Sequence, residues 1–371
     1  MTDDVQLYIP GPVPVEPDVL EAMGQQVRQH YGNEWLAYYQ AFLGRLRRVF
    51  ATAGSIYPVT TSGSGGVEAM MGTLIGADGR VGVVVNGFFG DRVLQIARAH
   101  STQVEALQIP WDRPADPGEV RTWLRRTRVS LLGVVHSDTS TGVINPVAEI
   151  AAAAREEGVA VAVDAVSSLA GMPVETDAWG LAAVSSASQK CLEAPPGLAP
   201  VAITQIGWDL VDRQPGATRG WYLNLRTWRQ FERDWPHHPY PVTLATNNIF
   251  ALNRALERIL AEGLEARYAR HRAAQRILRQ GLERLGFTLL ADERWASPTV
   301  TVAYPAKGVD ADGLIQNLRS RHGVAISGGL MHLSGKVVRI GHLGTLAYPE
   351  RMHRVLDALE ASLKEQSAAR A

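Results

Sequence analysis

Ala182-Ala183-Val184-Ser185-Ser186-Ala187-Ser188-Gln189-Lys190, running on through Cys191-Leu192-Glu193-Ala194 into Pro195-Pro196-Gly197-Leu198, is the stretch that decides the fold. A short apolar strand ends in small polar residues, then one lysine, then a Pro-Gly turn. An ammonium placed where a buried strand stops is partly desolvated. That lowers its pKa and makes the free amine a usable nucleophile toward a carbonyl. A strand-end lysine can equally be one that snorkels out to water. The strand upstream separates these readings. Val159-Ala160-Val161-Ala162-Val163 is the near-continuous apolar run of a strand buried on both faces of a parallel sheet. It ends on Asp164, followed by Ala165-Val166-Ser167-Ser168. Two consecutive core strands each deliver a charged group at their carboxyl end, which is where open parallel sheets bind ligands.

A carboxylate and a lysine in that position suit pyridoxal 5'-phosphate above other cofactors. It needs a lysine for its Schiff base and an acid to keep its ring nitrogen protonated. The segments Val163-Asp164-Ala165-Val166-Ser167-Ser168, Ser188-Gln189-Lys190 and Ala194-Pro195-Pro196-Gly197-Leu198 resemble those of the class V aminotransferases. Within that class the chain is most similar to the alanine/serine–glyoxylate (serine–pyruvate) aminotransferases. The match runs from Pro10-Gly11-Pro12 to Arg339-Ile340-Gly341, and the order and spacing of the motifs carry it.

Length and composition fit this class. A chain of 371 residues is enough for two domains. With 37 basic and 37 acidic residues, nothing in the charge suggests a nucleic-acid or anionic-membrane partner. Cys191 is the one cysteine, so no disulfide forms within the chain, and no cysteine-built zinc site or other metal site is expected. Met1-Thr2-Asp3-Asp4-Val5 lacks a basic region followed by an apolar core, so no secretory signal is expected there. No apolar run approaches the roughly 18 residues of a membrane span. The expectation is a soluble cytoplasmic protein.

Taken in order, Leu7 to Val15 is an extended arm, because Pro10, Pro12 and Pro14 bar a helix. It is a plain linker or, by the resemblance, a lip at the mouth of the site, with Gly11 near the substrate. The strand Tyr57 to Thr61 leads into Ser62-Gly63-Ser64-Gly65-Gly66 and a helix from Val67 to Leu74. Small residues between strand and helix let backbone N–H groups approach an anion, so Ser64, Gly65 and Gly66 are assigned the cofactor phosphate. A P-loop lysine and the last glycine of a dinucleotide fingerprint are both missing, since Val67 and Glu68 follow. The strand Val81 to Val85 leads into Asn86-Gly87-Phe88-Phe89, with a helix from Asp91. Phe88 is assigned to the core.

The strand Val129 to Val135 ends in His136-Ser137-Asp138-Thr139-Ser140-Thr141-Gly142. This tract resembles the family's His-x-Glu-Thr-Ser-Thr-Gly, with Asp138 in place of Glu; it can also be only a capped turn. His136 reads as structural. Leu198 to Ile203 returns antiparallel. Gln214 to Pro241 reads as irregular, with Trp221, Trp228 and Trp235 marking buried contact at a subunit interface. A helical region from Thr246 to Phe287 breaks near Gly263. Beyond it, strands and helices alternate as in a small α/β layer. Arg339 lies between apolar residues, where an unpartnered guanidinium is costly and its fork matches a carboxylate.

The resemblance implies the rest. The fold is α/β, PLP fold type I, aspartate aminotransferase-like. A mostly parallel seven-stranded sheet forms the large domain and a smaller C-terminal α/β domain follows. Residues 1–15 are the arm, 16–255 the large domain and 256–371 the small one. Lys190 carries the cofactor and moves the alpha proton, Asp164 holds the ring nitrogen, and Phe89 and Val166 flank the ring. Thr139 reaches the phenolic oxygen, Gln189 helps with the phosphate, and Arg339 binds the substrate carboxylate. The expected reaction passes an amino group between a small amino acid and a small 2-oxo acid in a homodimer. A lyase is the alternative within the same chemistry. A family Tyr and Thr that reach the partner subunit's phosphate fall on Pro236 and Pro239 here, leaving Tyr240 and Thr243 as substitutes.

Overall fold

The computed structural model describes residues 5–76, 79–214 and 219–368. The expectations about a leader and a frayed tail fall largely on residues 1–4 and 369–371, outside the described ones. The tail's first residues, Ser367 and Ala368, continue the last helix, Pro349–Ala368.

Seven strands build the main sheet. Across it they run Ser55–Thr60, Leu198–Ile203, Ala183–Ser185, Ala160–Asp164, Leu131–Val135, Val81–Val85 and Val104–Gln108. Six point one way; Leu198–Ile203 runs antiparallel to both neighbours, as the Pro195-Pro196-Gly197 turn requires. The central strands Val81–Val85 and Leu131–Val135 are buried at every position, because helices cover both faces. Fully burying a valine or leucine contributes about 1.5–3 kcal/mol, so these runs dominate the core. The edge strand Val104–Gln108 buries only Leu107.

The helix after the first strand spans Gly63–Leu74, four residues earlier than its apolar pattern indicated. Ser62 caps it, its hydroxyl accepting from Gly65 N–H, so the glycine-rich turn is itself the first helical turn. Gly66 faces the sheet, where a Cβ would stand 2.5 Å from Ala199 Cβ. The next helix, Phe88–His100, likewise takes both phenylalanines into its first turn. The stretch read as irregular holds a helix, Leu225–Asp234, capped by Asn224, with Leu225 and Trp228 buried. Three arginines, two acids and a glutamine hid its short apolar face.

Thr246–Glu262 and Leu264–Arg284 meet at Gly263. The first packs on the helices Pro17–Met23 and Asn33–Phe50, the second on Pro349–Ala368. The expected boundary after residue 255 thus falls inside the first of these helices. A four-stranded antiparallel sheet follows, in the order Thr288–Leu289, Val300–Tyr304, Val338–Gly341, Ser327–Gly328. The strand Val324–Ala325 stays out of it and pairs in parallel with Gln6–Leu7 of the arm. The arm is therefore stitched down: Gly341 N–H donates to Tyr8 O at 2.7 Å, and Val13 N–H donates to Gln189 O at 3.1 Å.

Candidate active site

At the carboxyl ends of the parallel strands lies a pocket of about 280 Å³. Gly11, Ser64, Phe89, Asp164, Val166, Gln189 and Lys190 line it, and so do Pro12, Ser62, Gly63, Val67, Arg92 and Val93. Seven of the sequence-based candidates thus converge from five separate segments.

Lys190 ends the segment after Ala183–Ser185. Its amine donates to the carbonyl oxygen of Pro10. Burial lowers its pKa to about 8, with the Arg339 charge adding to the effect and Cys191 and Asp164 opposing it. Asp164 ends the adjoining strand, and one carboxylate oxygen accepts from Val166 N–H at 2.9 Å. Burial pushes its pKa up to about 6, and the Asp138 carboxylate adds to that; Lys190 and Arg92 pull the other way. The side-chain oxygen of Gln189 is buried without a partner.

Arg92 was missed at the sequence level. It sits one helical turn after Phe88 and Phe89, and its guanidinium lies 4.8 and 5.0 Å from their ring centres. It donates to Ser64 Oγ at 3.0 Å. It pairs with no carboxylate among the described residues. The spacing Phe88-Phe89-x-x-Arg92 on one helix face was the available signal. Phe88 is not in the core: it is half-buried and stands edge-on to Phe89, centroids 5.3 Å apart.

Gly65 and Gly66 do not line the pocket. Their N–H groups are engaged at the helix start, Gly65 with Ser62 Oγ at 3.2 Å and Gly66 with Ser62 O at 3.0 Å. Ser64 remains as the residue of that trio facing the pocket. Thr139 is buried and does not line the pocket, and its carbonyl accepts from Arg339 Nη1 at 3.2 Å. Arg339 Nε donates to Gly328 O at 2.6 Å. Arg339 stands outside the pocket lining, although its charge reaches Lys190.

Asp138 has a use that its short side chain explains. Oδ2 accepts from the N–H groups of Phe89 and Gly90, and Oδ1 from Ser140 N–H and Oγ. It thereby caps the Phe88–His100 helix and fixes Phe89 and Arg92 over the pocket. His136 is buried, edge-on to Trp179, and burial lowers it to about 4, so it is a neutral structural group. Tyr240 is also buried, its hydroxyl donating to His30 O, so that hydroxyl is spent within the chain; Thr243 is exposed. Of the three tryptophans near it, only Trp228 is buried; Trp221 and Trp235 are about half exposed.

A titratable amine, a buried carboxyl, a cation at a helix start and an aromatic ring thus surround one pocket. The carboxyl of Asp164 and the guanidinium of Arg92, which pairs with no carboxylate among the described residues, fit an aromatic cofactor with a basic nitrogen at one end and a phosphate at the other. The chain belongs to the class V aminotransferases, the pyridoxal-phosphate-dependent transaminases whose family model, Aminotransferase class-V, matches residues 69–343. It is 33% identical over 360 residues to an uncharacterised aminotransferase of Methanocaldococcus jannaschii, covering 97% of this chain and 92% of that one. It is 29% identical over 383 residues to the (S)-ureidoglycine–glyoxylate transaminase of Bacillus subtilis, covering 98% and 91%. Among solved structures, an alanine–glyoxylate aminotransferase from Nostoc sp. superposes with a TM-score of 0.92 at 31% identity, covering 98% of this chain and 96% of that one.

Proposed function

We propose that this chain moves an amino group between a small alpha-amino acid of the serine or alanine type and a small 2-oxo acid of the glyoxylate or pyruvate type. The observation that carries this is the pairing of Lys190 and Asp164 on one pocket at adjoining strand ends. Relatives named as serine–glyoxylate, L-aspartate–glyoxylate and pyridoxamine–pyruvate transaminases agree with the substrate class.

The cofactor, when bound, supplies an electron sink for charge at the substrate alpha carbon. Lys190 holds it and, once its amine is free, takes the proton from that carbon. Asp164 keeps a proton on the ring nitrogen. Phe89 and Val166 restrict the ring plane by contact. Arg92, Ser64 and Gln189 supply donors for the phosphate at the helix start, where the dipole also favours an anion. Gly65 and Gly66 act there through the backbone they allow. Thr139 hydrogen-bonds the phenolic oxygen. Arg339 takes the substrate carboxylate, with Gly11 at its side.

A lyase role finds less support. Cys191 is buried, with Sγ 3.7 Å from Ser167 O, and burial pushes its thiol up to about 12, which withholds the nucleophile a desulfurase needs. We further propose a cytoplasmic homodimer. The exposed Trp221 and Trp235 support a partner surface, and a single buried thiol suits a reducing compartment. We place the working division between large and small domains at Gly263. There one helix stays on the large layer and the next joins the small one.

The test is a half-reaction screen. Enzyme loaded with the cofactor is mixed with each amino acid singly, and loss of the bound-cofactor absorbance is followed with the 2-oxo acid formed. Ammonia release in place of a matching 2-oxo acid and pyridoxamine phosphate assigns the lyase instead.

A further inference from the structure

A buried ion pair that the proposed chemistry does not use holds the loop after Lys190. Arg267, near the start of the helix Leu264–Arg284, is 1% exposed, and Glu193 is 5% exposed. Arg267 Nη2 donates to Glu193 Oε1 at 2.5 Å and to Cys191 O at 2.8 Å. Its Nε donates to Ala170 O at 2.8 Å, and Nη1 to Glu262 Oε2 at 2.9 Å. Every nitrogen of the fork is engaged. Glu193 and Ala170 both hold positive φ, 58° and 65°, which non-glycine residues adopt only when their surroundings impose it. The guanidinium thus fastens two strained points of the backbone around Lys190.

The same helix start grips the other side of the site. Glu262 also binds Arg270, whose Nη1 donates to Gly344 O at 2.9 Å and Ala347 O at 3.0 Å. Gly344 N–H donates to His271 Nε2 at 2.9 Å. Gly344 lies just past the strand that carries Arg339, and it packs so closely that a Cβ would stand 2.9 Å from Glu193 Cγ. One chain of contacts therefore ties the Lys190 loop to the Arg339 strand. Stability alone does not explain a buried ion pair, since apolar side chains of equal volume often serve as well.

We infer that Arg267 and Glu193 form a positioning pair that sets the backbone from which Lys190 reaches the pocket and keeps it in register with Arg339. This rests on Lys190 being the lysine that carries the cofactor. Neither residue lines the pocket, so the pair acts through Lys190.

The test uses Arg267→Lys, which keeps the charge and loses the fork, and Glu193→Ala, which frees the loop while Glu262 still pairs the arginine. Acylation of Lys190 in the cofactor-free protein is followed against pH by peptide mapping. The midpoint is expected to move up, toward an ordinary lysine, in both variants. In the loaded enzyme, kcat per bound cofactor is expected to fall about ten- to a hundredfold, the scale of a misplacement near 1 Å, with KM changed far less. Wild-type midpoints and kcat in the folded variants, with only a lower Tm, overturn the inference and leave the pair a structural brace. Should Arg267→Lys not fold, Glu193→Ala decides the matter by the same readings. Borohydride trapping on a lysine other than Lys190 defeats the proposed function instead, and so separates the two failures.

Discussion

The ε-amine of Lys190 donates a hydrogen bond to the carbonyl oxygen of Pro10, 180 positions earlier in the chain. The arm that carries Pro10 is pinned on one side to Val324–Ala325 and Gly341 and on the other to Gln189, so it forms a wall of the pocket. The next residue, Gly11, has φ +101°, and a Cβ there would stand 2.6 Å from both Cδ and Nζ of Lys190. Arm and lysine fit together only because residue 11 has no side chain.

Gly11→Ala is therefore expected to weaken cofactor loading by about tenfold or more, since the strained backbone alone costs on the order of 1–3 kcal/mol. Titration of the cofactor-free protein with pyridoxal phosphate, read by absorbance, measures it. Loading at wild-type affinity would show that the arm swings clear.

Lys190→Ala is expected to lose both the bound-cofactor absorbance and turnover. Borohydride reduction of the loaded wild-type enzyme followed by peptide mapping is the direct check. A label anywhere but Lys190 ends the assignment.

Asp164→Asn should trade activity for stability. In the folded chain Asp164 titrates at about 6 against an ordinary 3.8, because burial disfavours its charge. Below 3.8 the carboxyl is protonated folded or unfolded and costs nothing. As pH rises from 3.8 to about 6, the unfolded state has shed the proton that the folded state still holds, and stability falls. Above that window the full cost remains. The cofactor-free Asp164→Asn protein is therefore expected to be more stable at pH 7, by no more than about 3 kcal/mol, and to lack this slope. Denaturant unfolding of both proteins at pH 5 and pH 8 checks it. The loaded variant should bind cofactor and lose most of its rate, because an amide does not hold the ring nitrogen protonated. Wild-type speed in Asp164→Asn would break the pairing with the ring nitrogen.

Arg339→Lys is expected to raise KM for every alpha-amino acid roughly tenfold, about 1.4 kcal/mol, through loss of the planar fork. Its Nε and Nη1 are tied to backbone carbonyls, so the fork is held in advance. The cofactor absorbance should not change. Loss of the cofactor itself would move Arg339 from substrate binding to the structural core.

Arg92→Gln should do the reverse. Cofactor affinity is expected to fall about tenfold, while KM for the amino acid at saturating cofactor stays near wild type. The charged hydrogen bond to an anion accounts for a loss of that size. Unchanged affinity would confine Arg92 to stacking on Phe88 and Phe89.

The strand-end pair Asp164 and Lys190 was legible because Asp164 closes an apolar run and Lys190 follows another through a short polar stretch, and burial of such runs leaves their polar ends at one edge of the sheet. The roles of Phe89 and Gln189 came from the resemblance, since each stands four residues past its strand, where local pattern alone gives no direction. Helix starts were not legible either. Ser64 to Gly66 read as a loop because glycine has weak helix propensity, yet packing against the sheet near Ala199 overrides it. Arg92 received no role from the sequence, since periodicity gives the face of a helix but not what that face meets.

The sequence by itself determined the parallel sheet, the returning strand through Pro195-Pro196-Gly197, and the chemical type of the two strand-end groups. Those follow from local patterns of burial and from proline and glycine dihedrals, which act over a few residues. Only the tertiary structure decided that Pro10 closes over Lys190, that Asp138 caps the helix bearing Phe89 and Arg92, and that Arg267 fastens the Lys190 loop to the helix Leu264–Arg284. Each of these joins residues from distant segments, and such a contact is selected by the shape and unmet hydrogen bonds of the folded chain, which no local pattern encodes.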